Sequence, residues 1–342
     1  MTIEQFAAAN PTISVANLLN DRANHALAFE LQWQLTKLGL LDPLIGASVM
    51  DDFEVMQKQD GEFGRESRLA LSLFCDLVGL PYQQALTAPI AQALLDAEAR
   101  TLLPLNFDPL AGDTLTETFA KRILRYMRDK DYWIARHPQM INIVYLEGAN
   151  PGGQKNADED NSWNDLRLLL KVKSNGQPEV FFSAVATTEP SKSYAQKIKD
   201  DREVRNNLSN PYAARIAFGQ YKAWNMGQHI FSNGSAQPAL KHNWKFPVLV
   251  HRDKDASGTR NSRDIMDWGL GINQHTTYVN ESPRVGTWST GCLVGHKPTE
   301  HTNFLELLKT DIRLVSNAGY TFMTTIIAGD KLQAEQPMAP PA

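Results

Sequence analysis

Leucines recur at helical spacing early in the chain. Leu27, Leu31, Leu35 and Leu38 lie three or four positions apart, which in a helix gathers them into one apolar stripe, and Gly39 ends the run. A second stripe, Leu69, Leu73 and Leu77, starts after Gly64 and stops at Gly79. Between them "DGEFGRES" (60–67) reads as a glycine turn, with Ser67 or a neighbour capping the second helix. Residues 104–113, PLNFDPLAGD, are turn-rich and read as a linker. Phe119, Ile123, Leu124 and Met127 then predict a connecting amphipathic helix that runs toward Tyr132.

From about residue 138 the pattern changes. "INIVYLEG", "LRLLLKVK", "EVFFSAVATTEP", "FPVLVHRD", "WGLGINQH" and "YTFMTTIIAGD" are short β-branched or aromatic runs bounded by turn formers, and they predict strands. One helix interrupts them, with Phe304, Leu308, Ile312 and Val315 as its stripe and Thr302 or Asn303 as its cap. No internal repeat is visible. The chain therefore reads as α+β: a helical module over 1–103, a linker and connecting helix over 104–137, a mostly β domain over 138–332, and a disordered tail over 333–342.

Composition narrows the class. Of 342 residues, 42% are hydrophobic and 21% charged, the balance of a globular protein. A net charge of −4 provides no electrostatic footprint for nucleic acid, and no apolar run is long enough to span a bilayer. The start, MTIEQFAAANPTISVANLLND, lacks the basic and apolar segments of a secretory signal, so the expectation is a cytoplasmic chain or one exported by a non-Sec route. Two cysteines make no disulfide framework. A Cys75–Cys292 bridge is formally open, but Cys75 falls among Leu69, Leu71, Leu73, Phe74 and Leu77 and reads as a small core hydrophobe, leaving Cys292 a free thiol.

That thiol sits in "GINQHTTYVNESPRVGTWSTGCLVG" (271–295). If the run before it is a strand, Leu270, Ile272 and Gln274 share one face, while Gly271, Asn273 and His275 share the smaller, polar one. Gly291 allows tight backbone geometry beside Cys292, and the connection over 276–287, with Asn280, Pro283 and Gly286, can lay the two segments side by side. An imidazole next to a thiol takes its proton, and the thiolate attacks a carbonyl to form a thioester. The N–H groups of Gly291 and Cys292 are candidate oxyanion donors; a backbone carbonyl, Asn273 or Ser289 is the candidate group that orients His275. Against this stands a plain alternative, since free cysteines are among the most buried residues and the pair occurs by chance in most chains. His229, His242, His251, His275, His296 and His301 are scattered and form no metal-binding spacing.

Trp163, Trp224, Trp244 and Trp268 read as core or cleft-wall aromatics, and Trp288, next to the motif, as a candidate substrate contact. The charge run over 197–205 reads as a solvated loop or helix face, or part of a lid. "DKDASGTRNSRD" (253–264) puts Asp253, Asp255, Ser257, Gly258, Thr259 and Asp264 at positions one, three, five, six, seven and twelve of a calcium loop. Position twelve is Asp rather than Glu and no helix pair flanks the loop, so the competing reading is a polar hairpin loop between strands.

Two resemblances extend these readings. "QWQLTKLGLLD" followed by "DGEFGRESRLALSLFCDLVGLP" resembles the bacterial peptidoglycan-binding module, a small three-helix bundle, through Gln32, Leu35, Leu38, Gly39, Asp60, Gly61, Phe63, Gly64, Ala70, Leu71, Phe74, Gly79 and Leu80. The connection over 43–59 is longer than usual, and Cys75 stands where glutamine is common. The order His275, then Ser289-Thr290-Gly291-Cys292, resembles the L,D-transpeptidase family of YkuD type, over roughly 140–330 but strongly only at the motif. "ATTEP" and "AARIAFGQYKAW" are loosely similar to early strands of such domains.

The resemblance implies a mostly β catalytic domain with Cys292 as nucleophile, His275 as base, and Ser289 and Gly291 as motif residues. It implies action on peptidoglycan peptide stems or muropeptides, by transpeptidation to an amine or carboxypeptidase cleavage with water, and no cofactor, with calcium an open addition. Thr290 replaces the motif histidine, removing the second imidazole next to the nucleophile, and Val294 replaces an arginine or asparagine that Arg284 or Arg215 would have to substitute. Those departures leave two alternatives: a weak or inactive peptidoglycan-binding protein, and a lytic effector or phage-type wall enzyme.

Overall fold

A computed structural model of the chain describes residues 1–43, 49–50, 53–54, 59–201, 212–231, 233–279 and 282–337. In the N-terminal part, helices α1 (Ile3–Ala9), α2 (Val15–Asn20) and α3 (His25–Lys37) precede a short hairpin, β2 (Val49–Met50) and β3 (Phe53–Glu54). Helices α4 (Arg65–Val78), α5 (Ala88–Asp96) and α6 (Ala99–Leu102) follow, and β1 (Thr12–Ser14) pairs with β4 (Ala85–Thr87). The expected stripe of Leu27, Leu31, Leu35 and Leu38 is buried along α3, but on α4 the buried face is Ala70, Leu71, Leu73, Phe74 and Cys75, while Leu69 is partly buried and Leu77 exposed. Both predicted stops hold, since Gly39 and Gly79 take left-handed φ values of +77° and +69°.

Ser67 does not cap α4: the cap is Gly64, with no side-chain hydrogen bond. The serine is turned inward instead. Gln32 is fully buried, and its Nε2 lies 2.8 Å from Asp60 Oδ1, 2.9 Å from the Glu62 carbonyl and 3.1 Å from Ser67 Oγ. Its Oε1 accepts from Gly61 N–H at 2.8 Å. One amide side chain thus satisfies the polar groups of the DGEF turn inside an apolar bundle. Most of the long connection expected over 43–59 lies outside the described residues, apart from the β2–β3 backbone pairing.

Helix α7 (Leu115–Asp129) begins at a capping box of Thr114 and Glu117 and stops short of Tyr132. Its stripe, Phe119, Ile123, Leu124 and Met127, lies on the sheet against Val144, Leu146, Leu166 and Leu168. The second half supplies β5 (Asn142–Glu147), β6 (Asp165–Val172), β7 (Pro178–Thr187), helix α8 (Lys192–Asp200), β8 (Ala214–Ile216), β9 (Gly219–Ile230), β10 (Ala236–His242), β11 (Val248–Arg252), β12 (Ile265–Gly269), β13 (Gln274–Thr276) and β14 (Leu293–Gly295). The chain ends with α9 (Pro298–Leu308), α10 (Ile312–Ser316), β15 (Thr321–Ala328) and α11 (Gly329–Glu335). The protein is therefore a mixed helix and sheet structure with one large sheet.

That sheet closes. Its order β10-β13-β14-β7-β6-β5-β15-β9 returns to β10, because β9 pairs with β15 through its first half and with β10 through its second. Side chains inside the ring, such as Ile143, Tyr145, Leu169 and Ile326, join Phe304, Leu305 and Leu308 of α9 in one core. Strand β5 is buried along its whole length because α7 covers its outer face. A second sheet, β12-β11-β8, flanks the ring.

Four further expectations need correction here. The helix expected from Phe304 to Val315 is two helices: Asp311 caps α10, and Val315 is exposed. Its start is Lys297 with Pro298 in the first turn, not Thr302 or Asn303. The run "WGLGINQH" is not one strand, since Gly271 at φ +78° separates β12 from β13. Helix α11 runs through Glu335, into the segment expected as tail, and 338–342 lie outside the described residues. Of the charge run over 197–205, Lys197 to Asp200 are helical in α8 and 202–205 lie outside the described residues. Among the described residues no helix is long and apolar enough to cross a membrane.

Replacing Gln32 with alanine strands the turn's buried donors and acceptors, and the expected loss is about 2–3 kcal/mol of stability. A urea-derived unfolding free energy that falls by less than about 0.5 kcal/mol would show that the turn holds itself.

Candidate active site

Cys292 ends a tight turn between the flanking sheet and the ring. Ser289 Oγ donates to the Cys292 carbonyl at 2.8 Å and accepts from Gly291 N–H at 3.1 Å, so the serine staples the turn closed. Gly291 has φ +140°, and a Cβ there would lie 2.8 Å from Ala214 Cβ and 2.9 Å from the Ala214 carbonyl. Only glycine permits that approach to β8, which is further held by Ala214 N–H donating to the Thr290 carbonyl at 3.1 Å. Of the two expected oxyanion donors, Gly291 N–H is therefore engaged, whereas Cys292 N–H has no partner among the described residues.

The thiol lies beside β13. Asn273 N–H reaches Sγ at 3.4 Å, and Sγ donates toward the Gly271 carbonyl at 3.7 Å. Asn273 and His275 do share a face, since both meet His229. The face is not open, however: His275 is 1% exposed and Cys292 8%. A ring nitrogen of His275, one of His229 and the Cys292 sulfur all lie within 4.8 Å of one another. Both cysteines are free, as expected.

His229 is the residue that linear reading missed. It stands near the end of β9, and its ring stacks on His275 at 3.8 Å with the planes 3° apart. A second imidazole is thus brought onto His275 from another strand, so of the histidines scattered in sequence these two meet in space. His275 Nδ1 faces the Thr276 carbonyl at 2.9 Å, which fixes the proton there and leaves Nε2 as an acceptor. That Nε2 is buried and has no hydrogen-bond partner. The group that orients the histidine is therefore a backbone carbonyl, not Asn273 or Ser289.

Asn273 pins the site rather than facing a ligand: Oδ1 accepts from His242 N–H at 2.9 Å, and Nδ2 donates to His229 Nδ1 at 3.0 Å. Trp288 belongs to an aromatic wall, edge-on to Tyr278 at 4.6 Å and to Phe231 at 6.4 Å; Phe231 in turn stands edge-on to His275 at 5.8 Å. Arg284 is exposed, and among the described residues its side chain makes no hydrogen bond or ion pair with Cys292, His275 or Asn273. Arg215 cannot replace the polar group missing at Val294: it is fully buried and paired with Glu189 at 2.6 Å and Asp253 at 3.1 Å. Trp224 is core, but Trp244 and Trp268 are exposed, contrary to expectation. The calcium-loop residues Asp253, Asp255, Ser257 and Asp264 lie between β11 and β12, at the hairpin position expected of the competing reading.

Burial sets the resting charges. It pushes the Cys292 thiol up to about 11, against the opposing pull of Asn273 N–H. Burial first, and His229 second, push His275 down to about 3. At neutral pH the pair is therefore thiol and neutral imidazole, not thiolate and imidazolium. No protein family, curated protein or solved structure matches the chain.

Two outcomes follow. Because only the thiolate is alkylated, the iodoacetamide rate at Cys292 should climb about tenfold per pH unit from pH 7 to 10; a rate already flat at pH 7 would mean the ion pair pre-exists. Gly291→Ala should cost about 1–3 kcal/mol by forcing the turn off β8, and an unchanged melting temperature would contradict that packing.

Proposed function

We propose that the protein is a cysteine acyltransferase of L,D-transpeptidase type that acts on the peptide stems of peptidoglycan. The observation that carries this is a buried histidine with one ring nitrogen within 4.8 Å of a free cysteine in a glycine turn, its Nδ1 held by a backbone carbonyl and its Nε2 without a hydrogen-bond partner. A buried acceptor without a donor is costly, and a thiol proton is what it lacks. Substrate binding has to bring Sγ–H from the Gly271 carbonyl to that nitrogen; such contacts commonly tighten only in the complex.

In this reading His275 Nε2 takes the thiol proton as Sγ bonds to the carbonyl carbon of an L-residue followed by a D-residue. The oxyanion faces Cys292 N–H. Collapse breaks the amide bond, the D-residue leaves as an amine with the proton from His275, and a thioester remains. An incoming amine or water gives its proton to His275, attacks the thioester, and restores the thiol. His229, stacked on His275, holds that ring in place and opposes its lasting protonation, so the proton taken from the thiol is readily passed on to the leaving amine. Phe231, Tyr278 and Trp288 supply an apolar wall for the stem. The helical module, with its peptidoglycan-binding pattern, holds the substrate's glycan close to the site.

The raised thiol and 8% exposure favour one second reading, a peptidoglycan-binding protein with little or no turnover. Mass analysis of purified muropeptides after incubation separates the two. The wild type should release a D-amino acid or form new cross-links, Cys292→Ala should form neither, and His275→Ala should be slower by about 10²–10⁴. Identical products from wild type and Cys292→Ala would end the enzymatic reading, and retention on insoluble wall sacculi would then support the binding one.

A further inference from the structure

The loop between β11 and β12 carries three carboxylates that face one another. One oxygen from each of Asp253, Asp255 and Asp264 lies within 4.8 Å of the other two. Like charges this close repel unless something neutralises them. Part of the neutralisation is visible: Arg215 reaches Asp253 Oδ2 at 3.1 Å, and the exposed Arg263 reaches Asp255 Oδ2 at 3.2 Å. Backbone N–H groups of Ser257 and Gly258 serve Asp253, and that of Ser257 also serves Asp255.

Asp264 is different. Its side chain is 1% exposed, Oδ2 accepts from Asn261 N–H at 3.2 Å, and the nearest basic group, His251 Nδ1, is 3.9 Å away. Burial and Arg260 hold that imidazole down to about 4, so it brings no positive charge at neutral pH. Asp264 Oδ1 is buried with no hydrogen-bond partner at all. A carboxylate that is out of solvent, keeps one oxygen without a donor and stands within 4.8 Å of two other carboxylates is suited to ligate a cation.

We propose that this loop binds one calcium ion. Asp253, Asp255, Ser257 Oγ, the Thr259 carbonyl and Asp264 provide hard oxygen ligands at the first, third, fifth, seventh and twelfth positions, and solvent completes the shell. Ser257 Oγ already lies 3.0 Å from the Thr259 carbonyl, so these two ligand oxygens are adjacent. Gly258 takes φ +77° at the sixth position, where the loop must turn sharply. Oxygen ligands on a flexible loop suit calcium better than magnesium, which demands a compact octahedron and sheds water reluctantly. With Asp rather than a longer bidentate Glu at position twelve, affinity falls in the weak range, a dissociation constant of about 10⁻⁴–10⁻³ M.

The site also reaches the cysteine turn. Asp253 N–H donates to the Ala213 carbonyl at 3.0 Å, its carboxylate holds Arg215 of β8, and the neighbouring Ala214 N–H holds the Thr290 carbonyl. Calcium drawn onto Asp253 therefore braces the strand on which Gly291 rests. This coupling does not depend on what reaction Cys292 performs.

The test uses the full chain stripped with chelator. Calorimetric titration with calcium chloride should show one site, and 10 mM calcium should raise the melting temperature by about 2–5 °C. Asp264→Asn and Asp255→Asn should each abolish the heat and the shift, while magnesium at the same concentration gives less than half the shift. Asp255 is partly exposed, so its variant keeps the test valid if Asp264→Asn misfolds. No heat and no shift at 10 mM calcium, or an equal shift in both variants, would overturn the proposal.

Discussion

The structure turns on the double pairing of β9. Its first half bonds to β15 and its second half to β10, and this continuity from one neighbour to the other converts an open sheet into a ring. Closure removes the exposed edges that an open sheet would leave, and it fills the ring with side chains. It also carries the end of β9 across to β13, since β10 bonds to both. His229 and His275 come from strands that are not hydrogen-bonded to each other, and they meet only because β10 lies between them. Without closure there is no paired imidazole beside the thiol.

The helical module is not a loosely attached passenger. Lys222, buried on β9, lies 2.6 Å from Glu66 of α4 and 3.3 Å from Asp42, whose Oδ2 accepts from Tyr320 at 2.7 Å. Arg313 adds a second buried guanidinium, paired with Asp311 at 2.6 Å. An ammonium ion buried this deeply is tolerable only with carboxylates on it, and removing one partner costs several times what an exposed pair would. The network therefore fixes orientation more than it adds stability. Anything held by the module meets the ring at a defined position, which is geometry that a flexible tether cannot provide.

The same burial that builds the site restrains it. Enclosing Cys292 keeps its proton on, and enclosing His275 keeps its ring neutral; both effects have one cause, the loss of water around charge. In the proposed reaction, a carbonyl arriving in the pocket changes that balance by giving the sulfur's charge somewhere to go, so the resting thiol is compatible with proton transfer concerted with attack. The stacked His229 is neutral for the same reason, with burial holding its ring below the ordinary histidine value.

Local pattern determined much of this protein. The stripe of α3, the left-handed glycines that stop α3 and α4, and the change to strand texture after about residue 138 are consequences of local pattern, and that pattern is written in the chain. The placing of Asn273 and His275 on one face also followed, because alternation in an extended segment is a local rule. What alternation could not tell was whether that face would be open. A third strand decided that, by laying His229 and Phe231 over it. The division of one expected helix at Asp311, the burial of Arg215 between Glu189 and Asp253, and the orienting carbonyl of Thr276 were likewise decided by partners distant in sequence or by backbone direction. Side-chain period is a property of neighbours along the chain, whereas burial and pairing belong to neighbours across it, and only the tertiary structure brings those together.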